Sequence, residues 1–197
     1  MSKSDVGSKK SGQFFPVDLN VIETIAIDNG EAIVLASYII LARGSHAYGH
    51  NRATAWGANS VAKYLNISHR RADKILQQLQ REDRFQQAVI APFPDKMDED
   101  KPPKRKGPGS YRWLIFLTDI PHWIYLPNVL VDGLKHTSDN ESLLCRILTQ
   151  AIDPLAHPKS PLGCLTLLLH LYAHHDLDCF AGVDPKCLRV DWCSANN

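Results

Sequence analysis

The ten residues from position 68 to position 77 hold the side chains with the clearest binding chemistry in the chain. Their charged members are mostly cationic, with Arg70, Arg71 and Lys74 against a single carboxylate, Asp73. Arginine presents a planar fork of donors that pairs with guanine, glutamine pairs with adenine, and lysine binds phosphate as a point charge. The segment therefore suits an anionic ligand rich in hydrogen-bond acceptors, such as a nucleic acid.

Two short helices are needed to position these side chains. Apolar residues spaced i, i+3, i+4, i+7 predict one helix from His69 to about Asp83, and a shorter one precedes it at 59–65. Between them, Asn66 tolerates a positive φ angle and Ser68 is a good N-cap, so the pattern predicts a helix-turn-helix. The small and apolar residues that would pack the two helices together are Val61, Ala62, Leu65, Ile67, Ala72, Ile75 and Leu76.

The run from Ser60 to Arg71 resembles the helix-turn-helix of winged-helix DNA-binding proteins. Within that superfamily it is most like replication initiators and regulators of plasmids, phages and integrative mobile elements. The resemblance covers roughly residues 30–118 and departs from the common pattern at Asn66, where glycine is usual. It implies a mainly α fold with a small β wing and binding to double-stranded DNA. The rest of the chain is not covered by the resemblance, and its apolar segments predict a second, mostly helical unit.

In such a fold the first turn of the second helix enters the major groove. We therefore assign base contacts to Arg70 and Gln77 and phosphate contacts to Arg71, with Asp73 orienting an arginine or accepting from cytosine. Positive charge at a helix N-terminus opposes the helix dipole, which favours a bound anion there. The predicted DNA-contacting residues, including a basic wing tip, are Lys63, Ser68, His69, Arg70, Arg71, Lys74, Gln77, Gln78, Lys104, Arg105 and Lys106.

The distribution of charge agrees with this placement. The net charge of the whole chain is only +1, but residues 1–112 contain 17 Lys and Arg against 12 Asp and Glu. Residues 113–197 contain 5 Lys and Arg against 9 Asp and Glu. A nucleic-acid surface is thus expected in the first part of the chain.

The elements flanking the helix-turn-helix follow from apolar patterning and from glycine and proline positions. We expect an apolar segment at 14–18, helices at 19–27 and 31–42 with Gly44 ending the second, and a polar loop at 45–55. Strands at 84–91 and 111–117 would enclose a proline-rich loop. The later segments are a short apolar stretch at 123–131 and helices at 142–152 and 162–174.

The chain is divided on this basis into a disordered tail (1–13), a winged helix-turn-helix domain (14–118) and a second helical unit (119–197). The segment 125–129 faintly repeats 15–19, and 167–173 repeats 35–41. Two explanations remain open. The second unit is a partial winged-helix repeat in a fragment of a longer protein, or two apolar helices followed by loops simply look alike.

Other kinds of site have little support. His170 and His174 have a spacing that zinc can use, but neither paired cysteines nor a catalytic glutamate accompany them. The sequence has no glycine-rich phosphate loop, no nucleophile-base pair and no carboxylate cluster. We therefore expect no enzymatic activity, no cofactor and no metal. The five cysteines, all in the last third, are expected to be buried, reduced thiols.

Three functions are compatible with these features. The first is sequence-specific binding to duplex DNA as the replication initiator of a mobile element, and the second is transcriptional regulation by a homodimer. The third is a winged-helix module that binds protein. We expect a cytoplasmic, nucleoid-associated protein without a membrane partner or an evident small-molecule substrate, because no apolar run approaches the roughly 20 residues that span a bilayer.

Overall fold

The computed structural model describes residues 14–27, 31–48, 51–81, 89–92, 112–115, 120–133, 142–150 and 160–174. These residues are mainly helical, with two small antiparallel sheets. The strands are β1 (Phe14–Asp18), β2 (Ser45–Tyr48), β3 (Asn51–Thr54), β4 (Ile90–Pro92), β5 (Arg112–Leu114) and β6 (Trp123–Pro127). The helices are α1 (Leu19–Ile27), α2 (Ala32–Arg43), α3 (Ala58–Leu65), α4 (His69–Leu79), α5 (Val129–Asp132), α6 (Leu143–Gln150) and α7 (Pro161–Ala173).

Helix α2 lies at the centre of the molecule. Nine consecutive residues, from Val34 to Ala42, are buried, which confirms the expectation that a helix with almost no polar face is enclosed on all sides. The hydroxyl of Ser37 donates to the carbonyl of Ile33 at 2.7 Å, so its polar atom is satisfied inside the helix. Helices α1, α3, α4 and α7 all pack against this central helix.

Gly44 ends α2 as predicted, but the reason differs from the expected one. Its φ angle is −82°, a conformation that any residue adopts, so no left-handed cap is formed. Instead, the indole ring of Trp56 lies directly against the Gly44 backbone, where a Cβ atom would occupy the space of the ring. Glycine is required here because the ring approaches the backbone closely.

Strands β2 and β3, at 45–48 and 51–54, pair antiparallel, so the prediction of a polar loop at 45–55 is wrong for these residues. Strand β3 pairs with β2 on one side and with β5 on the other, and the complete sheet has the order β2-β3-β5-β4. The residues of these two strands are too polar to signal a strand by alternation. Strand β3 is placed by pairing with β5, in which Ala53 lies opposite Trp113, and β2 pairs in turn with β3.

The segment 14–18 is a strand that pairs antiparallel with β6, 105 residues later, with Pro16 opposite Tyr125. The sequence predicted only an apolar segment at either place. The buried Asp18 joins the end of β1 to α1, because its Oδ1 accepts from the backbone N–H groups of Asn20 at 3.1 Å and His122 at 3.2 Å. Burial raises the pKa of this carboxyl above its ordinary value.

Several predicted bounds change at their ends. Helix α4 stops at Leu79, short of the expected Asp83, because the Leu79 carbonyl accepts from the N–H of Val89 at 3.0 Å, which turns the chain toward β4. Strand β4 begins at Ile90, and residues 84–88 of the strand predicted there lie outside the described residues. The predicted tail (1–13) and most of the proline-rich loop lie outside them too.

The later helices share one hydrophobic core with the earlier elements. Leu144 of α6 and Leu165 and Leu169 of α7 are fully buried in the same cluster as α2. Helix α7 packs against α1, α2 and β6. The boundary at residue 118 stays a prediction, but the described residues on its two sides pack together.

The two cysteines in the described ranges differ in environment. Cys145 is buried, as expected, whereas Cys164 is exposed on α7, so the expectation of burial is wrong for Cys164. The N-cap of helix α7 is Ser160, whose hydroxyl accepts from the N–H of Gly163. On this helix Leu165 and Leu169 are buried, whereas Cys164 is exposed. Cys179, Cys187 and Cys193 lie outside the described ranges.

None of the described helices is both long and apolar enough to cross a bilayer.

Candidate nucleic-acid interface

The turn between α3 and α4 has the geometry that its residue types predict. Asn66 adopts φ 52° and ψ 46°, the left-handed conformation, immediately after α3 ends. The N–H of Ile67 then donates to the Ala62 carbonyl at 3.1 Å, which closes the end of the helix. Ser68 caps α4, since its Oγ accepts from the Arg71 N–H at 3.3 Å. The three-residue turn and both of its special positions are confirmed.

The faces on which α3 and α4 meet are buried, as the helix-turn-helix pattern predicts. Val61 and Ala72 are fully buried, and Leu65 is 4% exposed. Ile67, within the turn, and Ala62, on α3, are partly buried and pack against the same core. This packing fixes one face of α4 inside the protein and leaves the opposite face to solvent. The other buried residues of α4 are Ile75, Leu76 and Leu79.

Most of the predicted DNA-contacting residues lie on the solvent-facing side. Gln78 differs from them, because it is half-buried and its Oε1 is a buried acceptor without a hydrogen-bond partner among the described residues. Lys104, Arg105 and Lys106 lie outside the described residues. The exposed members of the predicted set are Lys63, Ser68, His69, Arg70, Arg71, Lys74 and Gln77.

Asp73 has a different partner from the arginine that the sequence suggested. Its Oδ2 lies 2.8 Å from Nδ1 of His69, four residues earlier on the same helix, and both side chains are about half exposed. Because Asp73 accepts from Nδ1, the Nε2 atom of His69 is left at the outer edge of the ring. The one carboxylate of this helix is thereby directed to the histidine, away from Arg70 and Lys74.

The first turn of α4 concentrates positive charge. Arg70, Arg71 and Lys74 are exposed, and none of them forms an ion pair with any residue that the structure describes. Arg70 and Arg71 lie in the first turn, at the positive end of the helix dipole, which costs roughly 0.3–1 kcal/mol per charge unless an anion is bound, whereas Lys74 lies one turn further along. An anion near this end of α4 would offset that cost.

An aromatic stack packs at the end of α3 and includes one of its residues. The sequence did not predict this contact. The rings of Trp56 and Tyr64 are stacked, with centroids 5.1 Å apart and planes inclined by 20°. The Lys63 Nζ lies 5.4 Å from the Tyr64 ring centroid, and the Arg43 guanidinium lies 6.0 Å from that of Trp56. Arg43 also pairs with Asp132 at 2.7 Å. The stack joins α2, α3 and α5, elements that are distant in sequence, so no local pattern could have revealed it.

The left-handed turn residue gives a first prediction. Replacing Asn66 by alanine is expected to destabilise the protein by about 1 kcal/mol, because a Cβ without a polar side chain disfavours this conformation. Glycine at the same position should be nearly neutral, since it adopts positive φ freely. Urea denaturation measures both. Asn59→Ala is the matched control, because Asn59 is exposed within α3 and alanine favours a helix. Equal stabilities for the Asn66→Ala and Asn59→Ala variants would contradict the prediction.

The histidines of the possible zinc spacing lie at the end of α7, with His170 inside the helix and His174 just beyond it. Among the described residues, no three His, Cys, Asp or Glu side chains are grouped so that they could hold a metal ion.

Comparisons of the chain with protein-family models, with curated proteins and with solved structures found no match.

Proposed function

We propose that this protein binds double-stranded DNA in a sequence-specific manner, through a winged helix-turn-helix in which α4 is the recognition helix. The observation that carries the proposal is the exposed, cationic N-terminal face of α4, presented directly after the left-handed turn at Asn66. In helix-turn-helix proteins the residues at this end of the second helix contact base edges. Arg70 and Gln77 are the proposed base contacts, and Lys63, Arg71 and Lys74 the phosphate contacts.

The arrangement of the four-stranded sheet also supports a wing. After α4 the chain forms β4 and β5, which are antiparallel neighbours, and β5 lies between β4 and the earlier strand β3. A hairpin that follows the second helix and pairs with a strand preceding the first is the layout of a winged helix. The basic run of residues 104–106 belongs to the sequence that connects β4 to β5. We propose that this run contacts the DNA backbone beside the groove that α4 enters.

For the biological role we propose initiation of replication of a mobile element. The repeated segments 15–19 and 125–129 both pass from a strand into a helix, since β1 leads into α1 and β6 into α5. The two strands pair antiparallel with each other, so the repeated segments lie side by side. This supports two related units in one chain, the arrangement expected of an initiator. Transcriptional regulation by a homodimer is the alternative.

Selection of duplexes from a random library, followed by binding measurements at several salt concentrations, tests the proposal. A selected duplex should bind at least about 10³-fold more tightly than a mixed-sequence duplex. Three phosphate contacts, from Lys63, Arg71 and Lys74, predict a slope of about −2.7 for log K against log salt concentration, and contacts from residues 104–106 would make it steeper. A palindromic site bound by a dimer would favour the regulator, and an asymmetric site bound by one chain would favour the initiator.

The absence of any enriched duplex, with weak binding that does not change with salt, would contradict the proposal. The exposed face of α4 would then be assigned to the third of the functions considered above, that of a module that binds protein.

A further inference from the structure

Helix α6 reaches across the molecule to the end of α3. The Ser142 hydroxyl donates to the Tyr64 carbonyl at 2.9 Å, and the Cys145 thiol donates to the Leu65 carbonyl with an S···O distance of 3.6 Å. Ser142 and Cys145 are each 3% exposed, so both bonds are shielded from water. They join residues that are 78 and 80 positions apart in the sequence.

The two acceptors occupy a sensitive position. The last carbonyls of a helix have no partner within the helix, and water usually satisfies them. Here they belong to the final two residues of α3, directly before the left-handed Asn66. The orientation of these peptide groups therefore sets the direction in which the turn leaves α3.

The same hydroxyl also fixes α6. Ser142 Oγ accepts from the Cys145 N–H at 3.0 Å and so caps the first turn of that helix. One side chain thus joins the beginning of α6 to the end of α3. Loss of the hydroxyl would leave the buried Cys145 amide and the partly buried Tyr64 carbonyl without these partners, which is unfavourable.

We propose that Ser142 and Cys145 are positioning residues of the DNA-binding site. By holding the last carbonyls of α3 they fix the turn at residues 66–68, and through it the angle at which α4 is presented to DNA. This inference rests on the proposed function. It makes α6, which belongs to the second part of the chain, a component of the helix-turn-helix.

The test compares Ser142→Ala and Cys145→Ala with the full-length wild type on the duplex selected by the wild type. Each variant is expected to raise Kd about fivefold, or about 1 kcal/mol, because an α4 that is no longer held at its angle must be ordered when it binds DNA. Ser142→Thr keeps the hydroxyl and should restore Kd to within about twofold of the wild type. Measurements are made well below the unfolding transition, so a loss of stability alone leaves Kd unchanged.

Thr149→Ala supplies the matched control on the same helix. Among the described residues, the Thr149 hydroxyl donates to carbonyls of α6 itself, those of Cys145 at 3.0 Å and Arg146 at 3.2 Å. Its removal should leave Kd unchanged. If Thr149→Ala weakens binding as much as Ser142→Ala, or if Ser142→Thr fails to restore it, the positioning role is wrong.

A second measurement separates this inference from the proposed function. Backbone amide NMR shifts of residues 66–71 should change in Ser142→Ala and Cys145→Ala and stay unchanged in Thr149→Ala, in the absence of DNA. If the wild type selects no duplex, the proposed function fails, and the shifts alone decide whether α6 sets the turn. Unchanged shifts in both alanine variants would overturn the inference.

Discussion

A chain that ends at residue 118 is expected not to fold. Such a chain keeps the helix-turn-helix but lacks β6, α5, α6 and α7. The apolar residues that it loses from the core are all at most 3% exposed: Ile124, Leu126, Leu130, Val131, Leu144, Leu165 and Leu169. Burial of one such side chain contributes about 1.5–3 kcal/mol, so the loss of seven, about 10–21 kcal/mol, is comparable to or larger than the whole stability of a typical domain, about 5–15 kcal/mol.

The truncation would also expose polar groups that are now satisfied. Strand β1 would lose β6, its neighbour over the whole of Phe14–Asp18. Asp18 would lose the N–H of His122, and the Tyr64 and Leu65 carbonyls would lose Ser142 and Cys145. Edge strands and helix ends without partners add to the cost of the missing core.

Circular dichroism with thermal denaturation measures the effect. The shortened chain should give no cooperative transition, whereas a chain ending at residue 174 keeps every described contact and should give one. A cooperative transition in the 1–118 chain would instead establish the predicted boundary at residue 118 as a true domain boundary.

The helix-turn-helix was predictable because its requirements are local. The left-handed conformation at Asn66 and the cap at Ser68 depend on residues within one or two turns. The buried positions of α3 and α4 follow from helical spacing. The exposed face of α4 consists of the residues that this spacing does not place in the core. Sequence and structure therefore agree most closely over residues 58–79.

The remaining features depend on contacts between distant segments. Nothing near β1 specifies β6 as its partner, and nothing within β2 or β3 specifies β5 as the neighbour of β3. Gly44 was placed correctly for a wrong reason, because the ring of Trp56 that requires it is 12 positions further along. The bonds from α6 to α3 are equally non-local. The pattern of residue types along the chain predicts which face of a helix is buried and where the helix ends. It does not predict which distant strands or helices contact each other.

Replacing both Arg70 and Arg71 by alanine is expected to weaken binding to the selected duplex by about 100-fold or more. One bidentate arginine-guanine contact accounts for about 1–3 kcal/mol, and each phosphate contact adds affinity that decreases with salt. Both side chains are exposed and form no ion pair with a described residue, so their removal breaks no such pair.

The single variants should differ in kind. Arg70→Ala should weaken binding to the selected duplex more than to mixed-sequence DNA and relax the preference at one base pair. Arg71→Ala should weaken binding to all duplexes by a similar factor and reduce the salt slope by about 1. Anisotropy titrations on both duplexes at three salt concentrations distinguish these outcomes.

The Arg70→Ala/Arg71→Ala double variant should bind DNA more weakly without becoming less stable. The two arginines place positive charge at the N-terminal end of α4, where it opposes the helix dipole, so their loss should leave the free energy of unfolding unchanged or slightly higher. Arg146→Ala is the matched control, because Arg146 is also exposed and lies on α6 outside the proposed interface. Wild-type affinity in the double variant would show that α4 is not the recognition helix. A loss that Arg146→Ala reproduces would show only a general effect of net charge.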